Sequence, residues 1–462
     1  MRAKLIKIVQ DLRASYWFVP SLMALSALLL SIFMEWLDAN YGATWLREFD
    51  WLTATHPEGA RSVLTVIAGS IIGVAGVTFS ITIVAVSYAS ANFGPRLIGN
   101  FMRDRGNQLT LGTFIATFVY CLMVLRTVRN GATDGATQSL DAFVPHLSIL
   151  IAIGLALASI GVLIYYIHHI PETINVSNIA ANIGRQLRKD VLEAFPDPEK
   201  LQPDQSEQAC SWAELDQCTF HLEVHAETAG YVQALDQARL GEIAGNEKLL
   251  VRVQFRPGDF VVTQNTIMEA WSEKEISKET LSALEGCIAI GEHRAVHQNT
   301  LSLVDELVEI IARALSPGIN DPFTAITCFN WLKVGLICFA LRERHGNWPA
   351  DTDPVRLYPI KFERFASAMF DQTRQYVCKD RNVALHVIGV LTEAAALVES
   401  ADQQEILVAQ MHKLADACTE NMGDCEGAHD VRERHQEGLK ILSDPDGYAR
   451  YRNSDRWFGG RG

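Results

Sequence analysis

The chain has 462 residues, 48% hydrophobic and 20% charged, with a formal net charge of −14. The charge is unevenly placed: residues 1–171 hold 11 Lys/Arg and 9 Asp/Glu, whereas residues 172–462 hold 29 and 45. An acidic C-terminal half argues against nucleic acid as a partner, because phosphate binding relies on clustered Lys and Arg, and the split implies two different solvents.

Four stretches carry no Asp, Glu, Lys or Arg: Ala14–Met34, Ser62–Pro95, Gly106–Leu125 and Ala142–Pro171. About 20 apolar residues cross the hydrocarbon core of a bilayer. Each stretch therefore predicts a span, at about 14–34, 62–89, 108–125 and 145–167, within a four-helix transmembrane domain of residues 1–171. The first follows Arg2, Lys4, Lys7 and Arg13, but it exceeds a signal-peptide core of about 7–15 residues and lacks a nearby cleavage site. In the second, Gly69 and Gly73 form G-x-x-x-G and Gly76 follows, small residues that let helices approach in lipid. That span also carries Ser70, Thr78 and Thr82 before the turn at Gly94-Pro95. In the third, Thr110, Thr113, Thr117 and Tyr120 share one helix face. This stripe predicts either hydrogen bonding between helices or the lining of a pore, to which Ser70, Thr78 and Thr82 would contribute. No charged residue lies inside the expected spans, which argues against a proton-coupled carrier or a voltage sensor.

Lys and Arg near the span ends set the orientation. One side carries Arg2, Lys4, Lys7, Arg13, Arg96, Arg103, Arg105, Arg185, Arg188 and Lys189; the other carries Arg47, Arg61, Arg126 and Arg129. Both termini are thereby expected in the cytoplasm.

Residues 172–217 read as a helical linker, with a helix over Ile174–Phe195 stopped by the Pro-rich run to Pro203. Residues 218–272 read as a small β-barrel or sandwich, with strands at Phe220–His225, Tyr231–Leu235, Leu249–Phe255, Phe260–Thr263 and Ile267–Trp271. Residues 273–444 read as a cytoplasmic α-helical bundle, with helices near 277–293, 297–315, 322–343, 359–378, 381–400, 403–421 and 428–442, and residues 445–462 as a flexible tail.

Catalytic signatures are missing. No phosphate loop, dinucleotide fingerprint, H-E-x-x-H or nucleophile elbow occurs, so neither an enzyme nor a cofactor is expected. His293 and His297 stand four apart but lack the adjacent glutamate of a zinc protease, and Cys418, Cys425, His429 and His435 match no zinc spacing, so no metal is expected. His168-His169 lies at an interface where imidazole titration can sense pH. The nine cysteines are irregularly spaced and eight fall in the acidic half, which predicts free thiols.

The most distinctive run is Arg313-Ala-Leu-Ser-Pro-Gly-Ile-Asn-Asp-Pro-Phe-Thr-Ala325. Ser316-Pro317-Gly318 ends one helix, Asp321 caps the next and Pro322 suits its first turn. Asn320, Asp321 and Thr324, with Arg294 and Arg313 on preceding helices, make either an Asp–Arg pair or a ligand or subunit contact. With Ser90–Leu97, Phe114–Tyr120, Gly230-Tyr-Val-Gln and Pro257-Gly-Asp-Phe-Val, this run makes the chain resemble the bacterial membrane-protein family called domain of unknown function 2254. The resemblance covers most of the chain and implies a bacterial inner-membrane location, with no assigned activity. The family pattern has Arg-Thr and Gln-Asp-Pro where this chain has Arg294-Ala295 and Gln298-Asn299-Thr300.

Together these features predict an α-helical membrane protein that assembles as a homo-oligomer, since four spans without internal repeats make a poor pore alone. The leading expectation is a channel or small-solute pathway with the cytoplasmic half as gate or vestibule. The alternative is a non-conducting sensor or scaffold that binds an ion, a small cytoplasmic ligand or a protein near Asn320 and Asp321.

Overall fold

The computed structural model describes residues 15–41, 56–94, 101, 104–129, 143–195, 212, 215, 218–292, 294, 299–345, 353–357, 360–444 and 446–453. The N-terminal basic residues, Arg47, Arg96, Arg103, most of the Pro-rich linker, His293, His297, Gln298 and the end of the tail lie outside these. The described residues fall into two compact units, one of residues 15–91 and 101–175, the other of 92–94 and 176–453.

The first unit is built from α1 (Phe18–Tyr41), α2 (Pro57–Phe93), α3 (Arg105–Thr127) and α4 (His146–Ile174). Each is long and apolar enough to cross a membrane. Large apolar side chains such as Leu25, Val66, Val84, Leu157 and Ile164 point outward, while the buried face of α2 is mostly small or hydroxylated, with Ala60, Ala68, Ala75, Thr78, Thr82, Ala85 and Ala89 beside Leu64, Ile71 and Val86. That is the packing of helices in lipid, where leucine gains nothing by leaving the surface and small residues bring backbones together. Gly112 of α3 shows it directly, since a Cβ there would lie 2.5 Å from Met23 Sδ and 3.3 Å from Pro20 Cα on α1. The expectation of charge-free spans needs correction, because α1 runs past the uncharged stretch and takes in Glu35 and Asp38.

The second unit opens with the amphipathic α5 (Val176–Ala194). There follow β1 (Phe220–His225), β2 (Gly230–Leu235), α6 (Gln237–Glu247), β3 (Leu250–Val253), β4 (Phe260–Val261), β5 (Thr266–Ser272), α7 (Lys278–Glu285) and β6 (Ile288–Gly291). Then come α8 (Thr300–Ala314), α9 (Pro322–His345), β7 (Val355–Leu357), α10 (Phe362–Val377), α11 (Arg381–Leu397), α12 (Ala401–Met422), α13 (Glu426–Ser443) and α14 (Gly447–Arg452).

The strands form two small sheets, ordered β1-β5-β3-β7 and β4-β2-β6, so seven strands stand where the sequence predicts five. Val224, Val251, Ile267 and Met268 of the first sheet share a core with Val232, Leu235, Val261 and Ile288 of the second, and with Leu240 and Leu284 of α6 and α7. Besides the unexpected β7, three elements depart from expectation. Helix α6 replaces a turn, because Asp236 caps it at Arg239 N and Lys248 ends it in the left-handed region at φ 54°. The helix expected to reach 293 stops at Glu285, and Ile288–Gly291 pairs with β2. Within the expected flexible tail, residues 447–452 are helical.

α9 is a fifth helix long and apolar enough to cross a membrane. In its own unit its inner face is covered: Ala325, Cys328, Phe329, Leu332, Leu336, Phe339 and Ala340 are at most 1% exposed. Two glycines allow its close approach to α5. A Cβ on Gly184 would sit 2.5 Å from Trp331, and one on Gly335 2.5 Å from Leu187. Phe339 stacks on Phe365 at 4.4 Å and meets Phe195 edge-on at 5.0 Å.

Candidate functional site

The polar residues of the membrane unit gather into networks that stitch its helices. At one end, Asp38 of α1 accepts from Leu147 N (3.0 Å), Ser148 N (2.9 Å) and Ser148 Oγ (2.6 Å). A carboxylate from one helix thereby caps the N-terminus of another, where unsatisfied N–H groups and the helix dipole favour negative charge. Tyr120 reaches the same turn, donating to Ser148 O at 3.2 Å. Arg61 does the complementary job, donating to Val128 O at the C-terminus of α3 (2.8 Å).

Midway along, Thr117 Oγ1 lies 3.0 Å from Ser159 Oγ, and each hydroxyl also lies 2.8 Å from a carbonyl one turn earlier, Thr113 O and Leu155 O respectively. Thr113 bonds back to Leu109 O. At the far end, Tyr166 donates to Thr78 O at 2.6 Å and lies 2.8 Å from Thr82 Oγ1. Nearby, Asp104 Oδ1 caps α3 at Asn107 N (2.8 Å) and accepts from His169 Nε2 (2.8 Å). The His169 ring is stacked on Tyr165 at 5.0 Å. Gly106 makes room, since a Cβ there would stand 2.5 Å from His169 Nε2. Asn107 Oδ1 and Thr110 Oγ1, one turn apart, are buried without a hydrogen-bond partner among the described residues. His168, the other half of the pair, is exposed and lies 3.4 Å from Glu172.

Of the predicted pore residues, Thr78, Thr82, Thr110, Thr117 and Tyr120 are buried, Thr113 is half-buried and Ser70 is exposed. Gly69, Gly73 and Gly76 lie on the open face of α2, where an added Cβ would meet nothing within 4 Å of this chain. Within one chain they bring no helices together. Glycines that do include Gly106, Gly112, Gly184, Gly335 and Gly438. Local sequence pairs neither Asp38 with Leu147 and Ser148 nor Asp104 with His169, because the partners stand 109, 110 and 65 residues apart.

The distinctive α8–α9 segment is a helix stop followed by a cap. Asn320 takes φ 50°, Asp321 N donates to Ala314 O (2.7 Å), and the Asp321 carboxylate accepts from Thr324 N (3.1 Å) and Thr324 Oγ1 (2.5 Å). The arginines expected beside it are paired elsewhere: Arg294 with Asp305 at 2.9 Å and Arg313 with Glu309 at 3.5 Å. At the tip, Ile319 and Phe323 are exposed, Phe323 by 76%.

All eight described cysteines carry free thiols. Burial pushes Cys287 up to about 11 and Cys418 up to about 12, so both stay protonated at neutral pH. Cys418 is buried and Cys425 exposed, while His429 lies 3.1 Å from Asp424. Among the described residues, His221, Glu223 and Glu269 each bring a ligand atom within 4.8 Å of the others.

No solved structure matches the chain. Uncharacterized proteins of Mycobacterium bovis and Mycobacterium tuberculosis are each 26% identical to it over 346 residues, which is 73% of this chain and 64% of theirs. The chain thus spans less than two thirds of the length of these relatives. A family model described as predicted membrane protein (DUF2254) matches residues 13–393, taking in all four helices of the membrane unit, both sheets and the α8–α9 segment. The chain belongs to this DUF2254 family of predicted membrane proteins.

Proposed function

We propose that this protein is a homo-oligomeric sensor or scaffold of the bacterial inner membrane, with four spans, α9 as a core helix of the second unit, and both termini in the cytoplasm. The observation that carries the non-conducting reading is the commitment of Thr78, Thr82, Thr117, Tyr120 and Tyr166 to neighbouring helices or backbone carbonyls. Hydroxyls so engaged hold a bundle closed rather than line a path for water. The cytoplasmic half then carries the recognition. Phe323 and Ile319, exposed beside the rigid Asp321 cap, supply an apolar anchor for a protein partner.

A second reading is an ion or solute pathway between subunits. It is favoured by the open face of α2, where Gly69, Ser70, Gly73, Gly76, Ser80 and Ser87 are all exposed in the single chain. Purified protein in liposomes with potassium and chloride gradients separates the two. The sensor reading expects flux equal to that of protein-free vesicles. A saturable flux abolished in Ser80→Leu supports the pathway between subunits, and a flux abolished only in Thr117→Leu places it inside the bundle and defeats both readings.

A further inference from the structure

β1 reads His221-Leu-Glu-Val-His225, and a strand sends alternate side chains to one face. His221, Glu223 and His225 therefore project together. The antiparallel register sets Glu223 directly opposite Glu269 of β5, and His221 opposite Trp271. Like charges directly opposite each other across strands are destabilising unless something offsets them. Arg252 on β3 lies 3.6 Å from one oxygen of Glu269, which answers one carboxylate of the two.

The distances point to a further cation. His221 Nε2 stands 3.6 Å from Glu269 Oε1, and His225 Nε2 stands 3.7 Å from Glu223 Oε2. Both exceed a good hydrogen bond. The first approaches the separation of two ligands on a tetrahedral metal, about 3.3–3.4 Å for bonds of about 2.0–2.1 Å, and His221, Glu223 and Glu269 each bring a ligand atom within 4.8 Å of the others. Neighbouring side chains hold the donors in place. The His221 ring stacks on Trp271 at 5.1 Å, and Trp271 is itself covered by the Arg252 guanidinium at 4.9 Å. Thr266 Oγ1 donates to Glu223 Oε2 at 3.2 Å and lies 3.4 Å from His225 Nδ1.

We propose that the β1–β5 face binds one divalent first-row transition-metal ion of the zinc class. His221 Nε2 and one oxygen each of Glu223 and Glu269 are the ligands. His225 supports Glu223, and water fills the fourth position of this solvent-facing site. One imidazole with two carboxylates suits zinc, nickel or copper, whereas an all-oxygen set would suit magnesium or calcium. The site does not depend on whether the membrane unit conducts.

The test uses full-length protein in detergent, freed of metal by chelation and titrated with zinc alone by calorimetry, and with cobalt followed by visible absorption. Expected are one ion per chain, a tetrahedral cobalt spectrum, a loss of affinity of tenfold or more in His221→Ala and Glu223→Gln, and a smaller loss in His225→Ala. His429→Ala, on α13, leaves binding unchanged. Because Glu269 also meets Arg252, Glu269→Gln is scored only alongside an unchanged thermal midpoint of the apo protein, and the exposed Glu223 supplies the independent variant. No stoichiometric binding by wild type overturns the proposal, as does unchanged affinity in both His221→Ala and Glu223→Gln.

Discussion

Asp38 accepts three hydrogen bonds from two consecutive residues of α4 while sitting on α1, so one side chain both ends a helix and joins two. Asp38→Ala strands two backbone N–H groups in a site that is 7% exposed. Losing a cap costs about 0.5–2 kcal/mol, and the thermal midpoint of the detergent-solubilised protein should fall accordingly, with Asp38→Asn recovering part of it. Nothing local in the sequence marks this residue, because its uncharged stretch ends at Met34 and its partner lies 110 positions away. His386 offers a different kind of test. Burial, and secondarily the charge of Lys333, push it down from 6.5 to about 4, with Nε2 2.9 Å from Asn330 Oδ1. Between these pH values the unfolded chain binds a proton that the folded one refuses. The contribution is therefore complete above about pH 6.5 and declines as pH falls toward 4. For this half-buried ring we expect roughly 1–2 kcal/mol lost over that window, seen as a thermal midpoint that drops between pH 7 and 5 in wild type and drops less in His386→Gln.

Among elements, the hydroxyl-bearing stripe of α3 was legible from its spacing, but its role was not, because one helix cannot say whether its polar face meets water or another helix. Between α2 and α4, Tyr166 joins the two helices by reaching Thr78 O and Thr82 Oγ1. A double-mutant cycle of Tyr166→Phe with Thr82→Val should return a coupling of about 0.6 kcal/mol, typical of hydrogen bonds between membrane helices. Glycines tell a parallel story. The G-x-x-x-G pattern drew attention to Gly69 and Gly73, yet Gly184 and Gly335 make the close contacts between α5 and α9. No motif marks them, because each is single in its helix and its partner is remote. Gly184→Ala drives a methyl into Trp331, and over-packing of this kind costs about 1–3 kcal/mol, measurable as a lower melting temperature of the full-length protein. β6 was missed because Ile288-Ala-Ile-Gly291 is too short to override the helical pattern on either side. β7 offered only three residues.

At the scale of the whole molecule, the open face of α2 bears on assembly. Light scattering of solubilised protein should give a multiple of 51.2 kDa across concentrations, and Gly73→Leu should shift it toward the monomer. A concentration-independent monomer of the wild type would remove homo-oligomerisation from the account. The order of the four-stranded sheet has its own consequence. β7 lies parallel to β3, joined at Val251–Val355, Arg252–Arg356 and Val253–Leu357, yet roughly a hundred residues of chain separate the two strands. At ribosomal speeds of about 5–20 residues per second, that gap amounts to about 5–20 seconds. For that interval the nascent chain presents an unpaired strand edge, the feature most open to mispairing with a neighbour. Slowing translation across residues 254–354 should lengthen the exposure and raise the insoluble fraction of freshly made protein, while shortening the region would finish the sheet sooner.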